Sequence, residues 1–145
     1  MSSIEFCFEK IKKFSLSTDH ITKYINKLII NELKEPGDIA VIFCSDEYLL
    51  DINKKFLNHD YYTDIITFDY VFEDIISGDL FISIDRIKEN SQQYGNELVI
   101  EVYRVIFHGI LHLIGYKDKS EKEKYLMKKK EDYYLSEVDF SGQKL

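Results

Sequence analysis

Apolar residues recur along this chain in two periods, and the switches between them lay out its elements. Residues 4–8, Ile-Glu-Phe-Cys-Phe, alternate and then run apolar, which predicts an opening strand. Ile21, Tyr24, Ile25, Leu28, Ile29 and Leu33 follow a helical period behind the capping residues Ser17, Thr18 and Asp19, so a helix is expected there, stopped by Pro36-Gly37. Residues 39–44 form a short continuous apolar run that fits a buried strand. Ser45 or Asp46 then caps a helix carrying Leu49, Ile52 and Phe56 and ending near Leu57. Residues 63–70, rich in β-branched and aromatic side chains, and residues 79–84, which follow Ser77-Gly78, predict two strands paired antiparallel. The segment 85–94 is helical in pattern and closes at Gly95, and Asn96 is the expected N-cap of the next helix. Ser120-Glu-Lys-Glu123 has the form of a capping box and opens a last helix carrying Tyr125, Leu126, Lys129 and Tyr133. From Ser136 onward the tail is polar and expected to fray. The order β, α, β, α, β, β, α, α, α predicts an α+β fold, a small mixed four-stranded sheet covered by about five helices.

One helix stands apart. Residues 98–114, LVIEVYRVIFHGILHLI, carry only Glu101 and Arg104 as charged members, so this helix is apolar nearly all round and should be central. His108 and His112 are four apart and therefore share one face. Gly115 is placed to end the helix in a left-handed conformation, after which the chain can turn back and bring Asp118 to the same point. The pattern His-x3-His-x2-Gly-x2-Asp is that of three metal ligands with a coordination place left open. Two histidines spaced by chance are the competing explanation, but two buried imidazoles one turn apart without partners would be costly, and one cation satisfies both. A metal site at the end of a buried helix is the stronger expectation.

Composition narrows the setting. With 145 residues and 45% hydrophobic content, no linker, no internal repeat, one proline and six glycines, the chain reads as one domain, residues 1–145, with a real core. Its start lacks the charge-then-apolar pattern of a leader and no run is long enough to span a bilayer, so a cytoplasmic protein that does not engage membrane is expected. The net charge of −7 argues against a general nucleic-acid binder. From Lys117 to Lys130, however, seven lysines face only Asp118, Glu121 and Glu123, a local balance of +4 beside the proposed metal; a solvated helix face is the plainer reading of that run. Cys7 and Cys44, in strand-like apolar contexts, are expected to be buried free thiols, and His20 to be solvated.

The stretch His-Gly-Ile-Leu-His-Leu-Ile-Gly-Tyr, residues 108–116, resembles the signature of the YbeY family of metal-dependent endoribonucleases, which take part in ribosomal RNA maturation. Thr63-Asp-Ile-Ile-Thr-Phe68 and Gly78-Asp-Leu-Phe-Ile-Ser83 resemble two successive strands of the family that precede this signature, and all three blocks occur in the family's order. The resemblance implies a Zn2+ site, a mixed fold around a small sheet, and cleavage of single-stranded RNA, including processing near the 3′ end of small-subunit ribosomal RNA, with the ribosome or its small subunit as partner. His108 and His112 match the first two ligands. The third departs: the family usually has Asp-His after the tyrosine, where this chain has Lys117-Asp118. A carboxylate can also ligate zinc, so the site can survive, less positive and shifted toward harder divalent ions. The family's loop arginine is also missing, for residues 57–63 contain none, and His59 is the residue there able to carry a proton.

Three residues are therefore candidates for catalysis: Arg104, His59 and Asp64. Arg104 lies one turn before His108 and could meet a phosphate, orient Asp118, or form an ordinary pair with Glu101. Asp64, with Thr63, could hold a histidine tautomer through its second nitrogen. Lys117, Lys119 and Lys122 are candidate phosphate contacts, and Tyr61 or Tyr62 could stack bases, with plain packing as the alternative for each tyrosine. Two other functions compete. A metallopeptidase would need a glutamate where Gly109 stands. A ribosome-assembly or RNA-binding factor with a structural metal would need no catalytic group at all. Oligomeric state is not legible.

Overall fold

The computed structural model describes residues 2–145. In chain order it comprises β1 (Ile4–Glu9), α1 (Thr18–Asn31), β2 (Glu35–Cys44), α2 (Asp46–Leu57), β3 (Ile65–Asp69), β4 (Ile75–Ser83), α3 (Ile84–Tyr94), α4 (Leu98–Ile114) and α5 (Glu121–Ser136). The strands form one sheet in the order β1-β2-β4-β3, parallel between β1, β2 and β4 and antiparallel between β4 and β3. This is the expected mixed four-stranded sheet with five helices.

Helix α4 is the centre of the core: Val102, Tyr103, Ile106, Phe107, Ile110 and Leu111 have no solvent exposure. It reaches the sheet so closely because of two glycines. A Cβ on Gly109 would lie 2.7 Å from Ile65 Cδ1 and 2.9 Å from Leu80 Cδ2. From the other side, a Cβ on Gly78 of β4 would lie 2.5 Å from the Phe68 carbonyl oxygen and 2.8 Å from Leu113 Cδ2. Contact between helix and sheet at this depth sets the height at which His108 and His112 emerge.

Several elements differ from expectation, each for a local reason. Helix α1 stops at Asn31, and Leu33, expected on its buried stripe, has φ 63° and is 88% exposed. Pro36-Gly37 lies inside β2 and not at a helix end. The proline is tolerated because β1 pairs with β2 only from Ile39 onward, and the β2–β4 register shifts between Pro36 and Ile39. Ser77-Gly78 likewise lies within β4, and the reversal from β3 falls at residues 70–74, where Phe72 and Ile75 form an isolated bridge. Strand β3 is shorter than residues 63–70.

On α5 the capping box is present, but Met127, Glu131, Tyr134 and Leu135 face inward while Tyr125, Leu126 and Tyr133 are exposed. The Asn96 side chain does not cap α4; it donates to Glu101 Oε1 at 2.7 Å, and Glu97 occupies the cap position. Cys7, on the edge strand β1, is exposed, whereas Cys44 is buried and desolvation pushes its thiol up to about 12. His20 is not solvated: Nδ1 lies 2.5 Å from the Tyr103 hydroxyl and Nε2 lies 2.9 Å from the Asp139 carbonyl oxygen. The tail is held rather than frayed at that point, since Val138 and Phe140 pack on the core and the Asp139 N–H donates to the Tyr24 hydroxyl at 3.2 Å. Among the described residues no helix is long and apolar enough to cross a membrane.

Candidate metal centre

The last two turns of α4 carry His108 and His112 to the surface of the core. The helix ends when the Gly115 and Tyr116 N–H groups both donate back to Leu111, at 3.1 and 3.0 Å. Gly115 has φ 123° and ψ 0°, a positive φ wider than the left-handed helical value expected, and a conformation that a side chain would strain. The chain reverses there and delivers Asp118.

The three side chains converge. His108 Nε2 and His112 Nε2 are 3.0 Å apart, and Asp118 Oδ2 lies 3.1 Å from the first and 3.2 Å from the second. A tetrahedral zinc with bonds of 2.0–2.1 Å would hold its ligand atoms about 3.3 Å apart. The triangle thus fits a small divalent ion without rearrangement.

The outer nitrogens decide what the inner ones can do. His108 Nδ1 lies 2.6 Å from Glu131 Oε2, and His112 Nδ1 lies 3.0 Å from the Tyr116 carbonyl oxygen. Both partners only accept, so each neutral ring carries its proton on Nδ1 and turns an Nε2 lone pair inward. Two lone pairs and a carboxylate oxygen this close repel one another unless something positive sits among them. Burial alone would lower the His108 pKa, but the bond to Glu131 and the charges of Glu131, Asp64 and Asp118 outweigh it and raise the value. The same negative potential favours a cation at the triad.

Each outer partner is itself braced. Glu131 is buried and accepts from Arg104 Nη1 at 3.0 Å, while Arg104 Nη2 reaches Asp132 at 2.8 Å. Arg104 therefore pairs with α5, not with Glu101, and supports His108 through Glu131. On the other side, the Tyr116 hydroxyl donates to Glu32 Oε1 at 2.5 Å, Tyr134 donates to the same carboxylate, and Lys130 Nζ lies 3.1 Å from Glu32 Oε2. Burial would raise the Glu32 pKa, but these three donors bring it below its ordinary value. Sequence reasoning missed Glu131 and Glu32. Glu131 did leave a trace: it falls on the same helical stripe as Met127 and Leu135, where an acid needs a buried partner.

Two clefts meet at the triad, sharing Asp64, His108 and Asp118. One, of about 530 Å³, lies between α3, α4 and α5 and is lined by Tyr94, Asn90, Arg104, Lys124 and Lys128 among others. The second, of about 580 Å³, lies over β3 and the preceding loop, with His59, Tyr61, Thr67 and Lys119 in its walls. Burial raises the Asp64 pKa, opposed by positive charge on His108 and by the N–H groups of Asp64 and Ile65. The Thr63 hydroxyl donates to the Ile65 carbonyl, and the outer nitrogens of His108 and His112 are taken by Glu131 and the Tyr116 carbonyl, so it is those groups and not Thr63 or Asp64 that hold the tautomers. His59 stacks on Tyr61 at 5.1 Å between centroids and its Nδ1 lies 3.0 Å from that tyrosine's hydroxyl. Tyr62 points elsewhere, donating to Glu47 at 2.6 Å beneath the Arg86 guanidinium. Of the three lysines singled out, Lys119 lines the second cleft, while Lys117 and Lys122 are exposed and line neither.

Residues 6–139 match the family model described as Endoribonuclease YbeY. The chain belongs to that family. Among similar members, the endoribonuclease YbeY of Karelsulcia muelleri is 50% identical over 124 residues, covering 85% of this chain and 88% of the relative. That of Bacteroides thetaiotaomicron is 44% identical over 134 residues, covering 92% and 98%. A solved protein, TM1509 from Thermotoga maritima, has the same fold, with a TM-score of 0.68 at 26% identity over 94% of this chain and 89% of that one. Within this YbeY-family chain, His108, His112 and Asp118 form a group able to hold a metal ion, their donor atoms all within 4.8 Å of one another.

Proposed function

We propose that this protein is a zinc-dependent endoribonuclease that cuts single-stranded RNA and acts in the cytoplasm in ribosomal RNA maturation, including the 3′ end of the small-subunit RNA. Family membership supports the activity, and the observation that carries the metal is the triangle of Nε2, Nε2 and Oδ2 atoms, each edge 3.0–3.2 Å, with both imidazoles turned to it by outer acceptors. The ion would be held by His108, His112 and Asp118, and when bound it supplies Lewis acidity and a lowered water pKa. With three protein ligands a coordination place stays open, as catalysis requires. Asp118, a carboxylate where the family usually has histidine, makes manganese or another hard divalent ion an alternative occupant.

The chain's own groups do the rest. Glu131 and the Tyr116 carbonyl fix the ring tautomers. Asp64, whose pKa is raised by burial at the meeting point of the clefts, and His59, in the wall of the second cleft, are the groups able to hold or move a proton near the scissile bond. Arg104 is a bracing residue for Glu131. Lys119 stands in for the missing loop arginine as the cation of the second cleft. No observation favours a peptidase, for position 109 faces Ile65 and Leu80 in the core and could not present a base to the triad.

Incubating the protein with single-stranded RNA, duplex RNA and an unfolded protein, each with and without chelator, tests this. Internal cuts in single strands only, abolished by chelator and restored by Zn2+ or Mn2+, are expected. Chelator-resistant cleavage, or proteolysis without RNA cleavage, would overturn the proposal.

A further inference from the structure

The triad does not sit at the bottom of a pocket; it sits on the saddle between two clefts of similar size. An enzyme that trims a chain end needs room on one side of the reacting phosphate, whereas an internal cut needs room on both. We propose, resting on the endoribonuclease reading, that the cleft between α3, α4 and α5 is a nucleotide subsite for the RNA strand on one flank of the scissile phosphate, with Tyr94 as its base-stacking platform.

The chemistry of the walls carries this. Tyr94, the last residue of α3, is 67% exposed at the cleft although aromatic, and Gly95 with φ 69° turns the chain away directly after it, leaving the ring face open. Asn90 lies one turn earlier on the same side of α3 and also lines the cleft, offering a carboxamide to a base edge. Across from them, Lys124 and Lys128 are one turn apart on α5, and their carboxylate neighbours Glu121 and Asp132 lie 4.0 and 3.9 Å away, exposed pairs weak enough to yield to a phosphate. Of the four acids lining this cleft, Glu101 accepts from Asn96 and Glu131 from His108 and Arg104, while Asp64 and Asp118 lie at the triad end that both clefts share, away from Tyr94. An aromatic face opposite a row of cations is the arrangement that binds single-stranded nucleic acid with little regard to sequence. The second cleft repeats it with Tyr61, backed by the His59 ring, and Lys119. The strand thus enters on one aromatic platform, crosses the triad and leaves on the other.

The test is a set of single-stranded oligoribonucleotides sharing one cleavage position and lengthened separately on its 5′ or 3′ side. For the wild-type protein kcat/KM should rise with length on both sides. Tyr94→Ala should remove the gain from one side only, about 5- to 150-fold for the longest substrates, the range for loss of one stacked base. Tyr61→Ala should remove the gain from the opposite side, and Tyr94→Phe should retain it. Tyr125→Ala, an equally exposed tyrosine outside both clefts, is the control and should match wild type. Unchanged length dependence in Tyr94→Ala, or an equal loss on both sides, overturns the subsite. Should the wild-type protein cleave no RNA, the nuclease reading fails separately, and the subsite is then judged by fluorescence anisotropy of a labelled pentaribonucleotide on the chelated protein. A weakening of about 5- to 150-fold by Tyr94→Ala supports it there; equal affinity, or preference for an extended peptide, refutes it.

Discussion

Replacing Glu131 by glutamine tests whether α5 tunes the metal site that α4 displays. Glutamine conserves the volume of this buried side chain and can still accept a bond from His108 Nδ1, now 2.6 Å from a carboxylate oxygen, but without charge. A charge-assisted hydrogen bond is about twice as strong as a neutral one, so ~1–1.5 kcal/mol of support for the ring is lost. Removing a negative charge beside a dication acts in the same direction. Loss of an outer hydrogen-bond partner of a ligating histidine typically lowers metal affinity 10- to 100-fold, about 1.4–2.7 kcal/mol. Arg104 remains tied to Asp132 at 2.8 Å, which limits collateral damage. The assay is competition for Zn2+ against a chromophoric chelator at pH 8 and again at pH 6.5. Glu131 also raises the His108 pKa, so protons compete with metal more strongly in wild type than in the variant as pH falls. The deficit of Glu131→Gln should therefore be full at pH 8 and narrower at pH 6.5. Equal affinity of the two proteins at pH 8 would refute the reasoning.

Three further outcomes are expected. His112→Ala and Asp118→Ala should each lose stoichiometric zinc by elemental analysis, while Asp118→His should keep it and shift preference away from Mn2+; full metal in both alanine variants would remove the triad as the site. Gly109→Ala gains ~1 kcal/mol of helix propensity but forces a Cβ within 2.7 Å of Ile65 Cδ1 and 2.9 Å of Leu80 Cδ2, so overpacking of roughly 1–3 kcal/mol should leave it net destabilised in urea denaturation; a stabilised variant would show the helix has slack. Glu32 has a folded pKa below its ordinary 4.5, so its contribution is complete above that value and disappears as pH falls through the lower folded one. The stability gap between wild type and Glu32→Gln should accordingly be constant near neutrality and close in acid, and a gap that does not change with pH would contradict the network at Tyr116.

Periodicity and spacing along the chain determined a good deal. The order of nine elements, the centrality of α4 and the convergence of His108, His112 and Asp118 all follow from local rules, because helix geometry alone places residues four apart on one face and a glycine reversal within a few residues is short-range. The family signature, likewise, is contiguous. What only the folded structure decided is long-range: that Pro36-Gly37 sits in a strand depends on where β1 stops pairing, and that α5 turns Glu131 inward, leaving Tyr125 and Tyr133 outside, depends on the surface α4 offers it. His20 meets Tyr103, Glu32 meets Tyr116, and Tyr94 faces Lys124 across a cleft, over separations of tens of residues. Charged and polar groups at such separations acquire partners through packing, and no periodic pattern encodes which partner that will be.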